Sequence, residues 1–299
     1  MTVPPFLKPG DKVAITCPGK KLPAGIDDAV KLLQSWGLEV VLGETVTASF
    51  HQYAGNDELR ANDLQKFLDD SSIKAIIAAR GGYGTIRIID KLNFSKFAQH
   101  PKWLVGFSDI TVLHSHIYAN YRVETIHGQM PVNIPDGTKP SFESLRKALF
   151  GEQLEYTIQS SPYNREGNVE GIVIGGNLTL LVMLSQSISE IDFKDKILFI
   201  EDVGEYLYAI DRMMWQLTRA GKLKDLKGLI VGGFTGIKDN DIPFGQSIEE
   251  TISEHVKDYN YPVCFNFPAG HIPDNYAIIF GKKASLTVNF NKITLGFLD

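Results

Sequence analysis

The sequence predicts an α/β protein of two domains, and two observations carry that prediction. From Val13 to Tyr121 short apolar runs alternate with helical stretches, the pattern of repeated βα units. Between about Asn133 and Glu170 the alternation fails, because Pro135, Asp136, Gly137 and Pro140 interrupt it and the 150s and 160s are polar. Beyond that break, strands and helices resume in a mixed order. The division falls at 1–150 for an N-terminal α/β domain, 151–170 for a linker and 171–299 for a C-terminal β/α domain.

The first half opens with a strand over Val13 to Cys17, then an amphipathic helix from Gly25 to Trp36 and a second strand at Glu39 to Leu42. Asn56 to Asp69 reads as a helix with apolar Leu59, Leu64, Phe67 and Leu68. Strand Ala75 to Ala79, helix Thr85 to Leu92, strand Leu104 to Phe107 and helix Ile110 to Tyr121 complete the series. Such units imply a Rossmann-like parallel sheet with helices on its faces, and ligands of these sheets bind beyond the C-terminal strand edges. A helix from Phe142 to Leu149 leads into the linker. The second half offers strands Ile197 to Ile200, Gly228 to Gly232, Tyr261 to Phe265, Ala277 to Ile279 and Ala284 to Asn289, and helices near Leu178 to Gln186, Ile210 to Ala220 and Ile248 to Val256.

Composition bounds the function. The 299 residues are 43% hydrophobic and 22% charged, an ordinary balance for a soluble globular protein. A formal net charge of −5 and the lack of a basic stripe argue against nucleic acid as partner. The first ten residues show no secretory pattern, and no apolar run is long enough to span a membrane. Only Cys17 and Cys264 occur, which suits a reducing cytoplasm and two small core residues; Cys17 as a nucleophile would lack a neighbouring base.

The stretch Trp103-Leu104-Val105-Gly106-Phe107-Ser108-Asp109-Ile110-Thr111 places a serine where an apolar strand turns into a helix. There the first helical N–H groups lie ready to stabilise an oxyanion. The letters do not match the G-x-S-x-G elbow, and helix capping is the competing role for Ser108. Downstream, the apolar run Lys196 to Ile200 ends on Glu201, and the loop Phe267-Pro268-Ala269-Gly270-His271 presents a histidine. A serine nucleophile needs an imidazole to take its proton and a carboxylate to orient that imidazole. All three are therefore available, Ser108 in one half and Glu201 and His271 in the other, with the active site expected at the domain interface.

These motifs fall in one order. Leu7 to Ile15, Ala79-Arg80-Gly81-Gly82-Tyr83-Gly84, Gly106 to Thr111, Ile126-His127-Gly128-Gln129-Met130, Gly175-Gly176-Asn177-Leu178, Phe199 to Glu205, Tyr208-Ala209-Ile210-Asp211-Arg212 and Gly270-His271-Ile272-Pro273-Asp274-Asn275 together resemble the LD-carboxypeptidases. That serine peptidase family also includes the microcin C self-immunity peptidases. The resemblance covers nearly the whole chain. It implies Ser108 as nucleophile, His271 as general base and Glu201 as its carboxylate partner. It also implies removal of the terminal D-alanine of murein tetrapeptides in cell-wall recycling, a small muropeptide as substrate, and a homodimer. Cleavage of a peptidyl-nucleotide antibiotic of the microcin C type is the alternative within the family. A noncatalytic small-ligand binder that uses an interdomain cleft is the alternative outside it. Ala209 and Ala269 depart from the family pattern and bear on substrate preference rather than on the triad.

The glycine motif fits neither G-x-G-x-x-G nor a P-loop. An oxyanion hole built from the N–H of Gly81 or Gly82 with that of Asp109 suits it better, since glycine permits close approach. Tyr83 in the same motif is assigned to substrate contact. His127 is placed by the resemblance near the active-site rim, with a packed or backbone-bonded histidine as the other reading. Arg212 offers a planar fork for a substrate carboxylate, or an ion pair with Asp211 or Glu205. His114 and His116 lie two apart on one helix and face different ways, so no metal or other cofactor is expected.

Overall fold

A computed structural model describes residues 1–298. The first half contains β1 (Lys12–Thr16), α1 (Asp27–Ser35), β2 (Glu39–Leu42), α2 (Asp57–Asp69), β3 (Ile73–Ala78), α3 (Ser95–Gln99), β4 (Trp103–Gly106), α4 (Thr111–Tyr121), β5 (Thr125–His127) and α5 (Lys139–Phe150). The second contains β6 (Glu155–Gln159), β7 (Gly167–Asn177), α6 (Leu178–Met183), β8 (Lys196–Val203), α7 (Leu207–Arg219), β9 (Gly228–Thr235) and α8 (Ile248–Val256). It ends with β10 (Val263–Cys264), β11 (Ile278–Phe280), β12 (Lys283–Val288) and β13 (Lys292–Phe297).

Local chemistry sets the helix ends. The Asn56 side chain accepts the Leu59 N–H at 2.8 Å and starts α2, and Ser247 with Glu250 forms a reciprocal capping box on α8. The buried Lys102 ammonium donates to the Phe67 and Asp70 carbonyls and so finishes α2. Strand β4 is apolar along its whole length because it is an interior parallel strand covered on both faces. In β12 and β13, which pair antiparallel, buried positions alternate with more accessible ones.

Two sheets result, with orders β11-β5-β4-β3-β1-β2 and β10-β9-β8-β7-β12-β13-β6. The first is parallel from β5 to β2, and the second is parallel from β10 to β7 and antiparallel beyond. One strand breaks the division. Although β11 follows the whole of the parallel part of the second sheet, it pairs antiparallel with β5 in the first, Ile278 opposite His127 and Phe280 opposite Thr125. The chain then turns at Gly281 (φ +90°) and rejoins the second sheet as β12. A shared apolar cluster follows from this crossing. Val105 and Ile126 of one sheet, Phe199 and Ile230 of the other and Phe280 of β11 belong to it, each nearly or fully buried. Burying a side chain such as Phe199 contributes about 1.5–3 kcal/mol.

Several expectations change. The segment 85–92 forms two short 3₁₀ turns in place of a helix, and the expected linker 151–170 carries β6 and the opening of β7. Strand Ala277 to Ile279 exists, shifted by one residue, and sits in the other half's sheet. Cys17 and Cys264 are free and fully buried, and burial pushes both thiols up to about 12. Among the described residues no helix is long and apolar enough to cross a membrane.

Candidate active site

The parallel strands β3 and β4 deliver the glycine motif and Ser108 to the same sheet edge. After β4 the chain reaches Phe107 in extended conformation, and Ser108 then takes φ +62°, a left-handed value that costs a non-glycine residue about 1–2 kcal/mol. A single 3₁₀ turn from Ser108 to Ile110 runs directly into α4. Ser108 caps nothing with its side chain. Its neighbour across the edge is Gly81, where a Cβ atom would come 2.8 Å from Ser108 Cβ and 3.0 Å from Oγ. Only glycine allows that approach.

The loop carrying Gly81 is held from two sides. Asp109, 1% exposed, accepts the Thr85 N–H at 2.9 Å and the Thr85 hydroxyl at 2.7 Å through Oδ2. Burial raises its pKa, and the hydrogen bonds from Thr85 and Gly84 oppose that shift. Arg60, fully buried, donates to the Pro18, Gly84 and Gly55 carbonyls and pairs with Asp57. Lys20 lies along Gly82 (φ +110°), where any Cβ would collide with its methylene stem.

In the second half, Glu201 sits near the end of β8 at a break in register, where Ile200 pairs with Val231 but Asp202 with Phe234. The bulge leaves Gly232 and Gly233 of β9 free to admit another loop. The Gly233 N–H donates to the Ala269 carbonyl at 2.8 Å, and a Cβ on Gly232 would come 2.5 Å from that same oxygen. Gly270 (φ +111°) then lies flat on the Glu201 side chain. His271 follows, with Nδ1 2.6 Å from Glu201 Oε2.

That pair crosses to the other half through an aromatic contact. The His271 ring meets Phe107, the residue before Ser108, edge-on with centroids 4.9 Å apart. Glu201 has no exposed surface, whereas the His271 side chain keeps 18%. Burial disfavours the imidazolium, yet the Glu201 charge, its hydrogen bond and the Asp202 charge outweigh burial and leave the His271 pKa raised. With Nδ1 directed at the carboxylate, Nε2 is the nitrogen left for a substrate or a hydroxyl. A cleft of about 300 Å³ opens beside this ring, lined by Phe107, Gln129, Asn133, Asp136, Thr235 and His271 among others.

The expected substrate contacts fare unevenly. Tyr83 is 43% exposed next to the glycine loop, its ring 6.4 Å from that of Tyr53. Arg212 lies on the exposed face of α7 with its guanidinium over the Tyr208 ring, and Asp211 bonds His255 rather than Arg212. His127 requires a correction. It is 0% exposed, enclosed by Phe107, Phe199 and Phe280 and bonded to Asn275, so it lies beneath the cleft and not on its rim. His114 is likewise buried, bonded to the Thr125 hydroxyl and the Gly106 carbonyl. The cleft residues Asn133, Asp136 and Thr235 gave no signal in the sequence because they stand outside its motifs; Gln129 stood inside one and passed unremarked.

Comparison with known proteins identifies the family. The LD-carboxypeptidase N-terminal domain matches residues 13–128 and the LD-carboxypeptidase C-terminal domain matches 170–286. A probable murein peptide carboxypeptidase of Bacillus subtilis is 35% identical over 290 residues, which cover 95% of this chain and 91% of the relative. The crystal structure of muramoyltetrapeptide carboxypeptidase from Oxalobacter formigenes superposes with a TM-score of 0.87 at 29% identity, covering 96% of this chain and 99% of that one. An MccF-like protein from Bacillus anthracis has a TM-score of 0.86 at 22% identity over the full length of both chains, a likeness of fold alone.

Proposed function

The chain belongs to the LD-carboxypeptidase family and is a serine-type carboxypeptidase, and from that premise we propose that it releases the terminal D-alanine of murein tetrapeptides by cutting an L-to-D amide bond. The observation that carries the reading is the His271–Glu201 pair, closed at 2.6 Å and seated against Phe107 beside the left-handed Ser108.

In this reaction Ser108 Oγ attacks the scissile carbonyl while His271 Nε2 takes its proton. Glu201 holds the imidazole tautomer and stabilises the imidazolium. The tetrahedral oxyanion is held by the N–H groups of Gly81 or Gly82 and Asp109, whose loop and turn are tied together through Thr85. His271 then protonates the departing D-alanine amine, and water hydrolyses the acyl-enzyme with His271 again as base. Tyr83 and the cleft beside His271 contact the peptide. Arg212, on the exposed face of α7, is the proposed ligand of the terminal carboxylate. The two free cysteines support a reducing cytoplasm as the place of action. The active species is proposed to be a homodimer, read by light scattering at twice the chain mass.

The test is release of free alanine from tetrapeptides ending in D- or L-alanine, resolved by chiral chromatography. D-alanine is expected from the first and little or no L-alanine from the second, since a misplaced methyl or carboxylate costs roughly 10²-fold or more. Equal turnover of both, or cleavage of an aminoacyl sulfamoyl adenosine with the tetrapeptide untouched, overturns the substrate assignment.

A further inference from the structure

Two buried polar side chains connect the halves beneath the cleft. His127 ends β5, opposite Gly106 of β4, and it has no exposed surface. Its Nε2 lies 3.0 Å from Oδ1 of Asn275, a residue 148 positions away and equally buried. The same oxygen lies 2.7 Å from the Gly270 N–H. An amide oxygen only accepts, so both partners donate to it, which fixes the Asn275 amide orientation and puts the His127 proton on Nε2. His127 Nδ1 and Asn275 Nδ2 have no partner.

Such an arrangement is costly as packing alone. An unpaired buried polar group costs about 1–3 kcal/mol, and the surrounding cage of Phe107, Phe199 and Phe280 would suit an apolar residue. What the pair does hold is specific. Gly270 immediately precedes His271, lies at φ +111° and rests on Glu201, so its N–H is the anchor nearest His271 on the first half's side, alongside the Gly233–Ala269 bond and the Thr235 hydroxyl on the His271 carbonyl from the second. His127 ties that point to the strand next to β4, which delivers Ser108.

We propose that His127 and Asn275 are positioning residues, which hold Gly270 and thereby set the His271 ring at its working distance from Ser108 across the two halves. The inference rests on the assignment of Ser108 and His271 in the proposed reaction. It concerns geometry, so it appears in turnover before it appears in substrate affinity.

The experiment compares wild type with Asn275→Ala, His127→Phe and His127→Gln in the full chain, all checked for folding by circular dichroism. Three readouts are taken: kcat and KM on the tetrapeptide, the rate of Ser108 labelling by a fluorophosphonate, and the His271 titration by NMR. For Asn275→Ala we expect kcat and labelling rate to fall about 30- to 100-fold with KM within about threefold, because a catalytic group displaced by an ångström loses on that order. Its His271 titration should also move down toward the ordinary histidine range. His127→Phe fills the cage but cannot donate, and should lower both rates about tenfold; His127→Gln restores an N–H to Asn275 and should recover most of that loss. Should Asn275→Ala not fold, the Phe and Gln pair decides alone. Folded Asn275→Ala with both rates within threefold of wild type, or equal rates for His127→Phe and His127→Gln, overturns the proposal. A wild-type enzyme that does not label at Ser108 refutes the nucleophile assignment itself, a distinct result.

Discussion

Ser108 stands in a left-handed backbone conformation at the mouth of a buried parallel strand, whereas Glu201 and His271 meet through a register break and a run of glycines that let one loop settle onto another. In the first half the functional atom is placed by backbone strain, of order 1–2 kcal/mol, and needs no side-chain partner in place. In the second it is placed by a hydrogen bond and by close packing. The contrast suits the chemistry proposed for each. A nucleophile has to be presented to a substrate that comes and goes, and a rigid turn does that. A base has to keep one tautomer through two proton transfers, and a fixed carboxylate does that.

The comparison breaks most sharply at Ser108 itself. Ser108→Ala should lower kcat by about 10⁴- to 10⁶-fold with the circular dichroism spectrum unchanged. A folded variant that kept more than about a tenth of wild-type turnover would falsify the nucleophile assignment. Removing the orienting charge tests the other half. Glu201→Gln is nearly isosteric and should cost on the order of 10³-fold in kcat, because the neutral amide no longer selects the tautomer that leaves Nε2 free. Steady-state kinetics on the tetrapeptide would expose a smaller, KM-only effect as contrary. Gly81→Ala probes the contact between the glycine loop and Ser108. The added methyl would sit 2.8 Å from Ser108 Cβ, and roughly a 10²-fold loss in kcat/KM is expected.

A pH profile sharpens the same contrast. His271 must be neutral to serve as the proposed base, and its pKa is raised, so kcat/KM should climb with pH through a midpoint above the ordinary value near 6.5. In Glu201→Gln the midpoint should move down. The linked stability has the opposite slope. The His271–Glu201 contribution is fully present below the unfolded histidine value and is lost as pH rises through the raised folded one, which urea melts across that window would register. The smallest effect concerns Ser108→Gly. Glycine adopts φ +62° without strain, so this inactive variant should be more stable by about 0.5–1 kcal/mol after the entropy of the unfolded chain is set against the relief. Stability lower by that entropy cost, about 0.5–1 kcal/mol, would show that the turn is unstrained.

Much of this was visible in the letters because it depends on short stretches. An apolar run that ends on Gly106-Phe107-Ser108-Asp109 shows a strand edge with a serine on it, and Lys196 to Glu201 shows the same for a carboxylate. The strand β7 escaped notice because its four glycines, Gly167, Gly171, Gly175 and Gly176, interrupt and flank its branched residues Val169 and Ile172-Val173-Ile174, a composition that weakens a strand signal. Segment 85–92 has helical spacing but tightens into two 3₁₀ turns, since its Thr85 end is drawn to Asp109. The rim placement of His127 rests on the resemblance, and the structure favours the other reading, a packed histidine. Its burial depends on Asn275, 148 residues away, and on three aromatic rings from three strands or their ends, none of which periodicity can connect.

The crossing of β11 has a consequence for how this protein comes into being. The sheet that presents Ser108 is not complete until residues 278–280 have been made and have paired with β5, and Asn275 arrives only just before them. A chain growing on the ribosome therefore cannot finish its first half and then its second in turn, as independent modules do. A chain that stops short of residue 278 leaves β5 as an unpaired edge of the sheet that carries Ser108. The same interlacing means that cutting the gene between the halves yields a first fragment with one edge strand missing, so exchange of halves between relatives must carry 278–280 along with its partner β5.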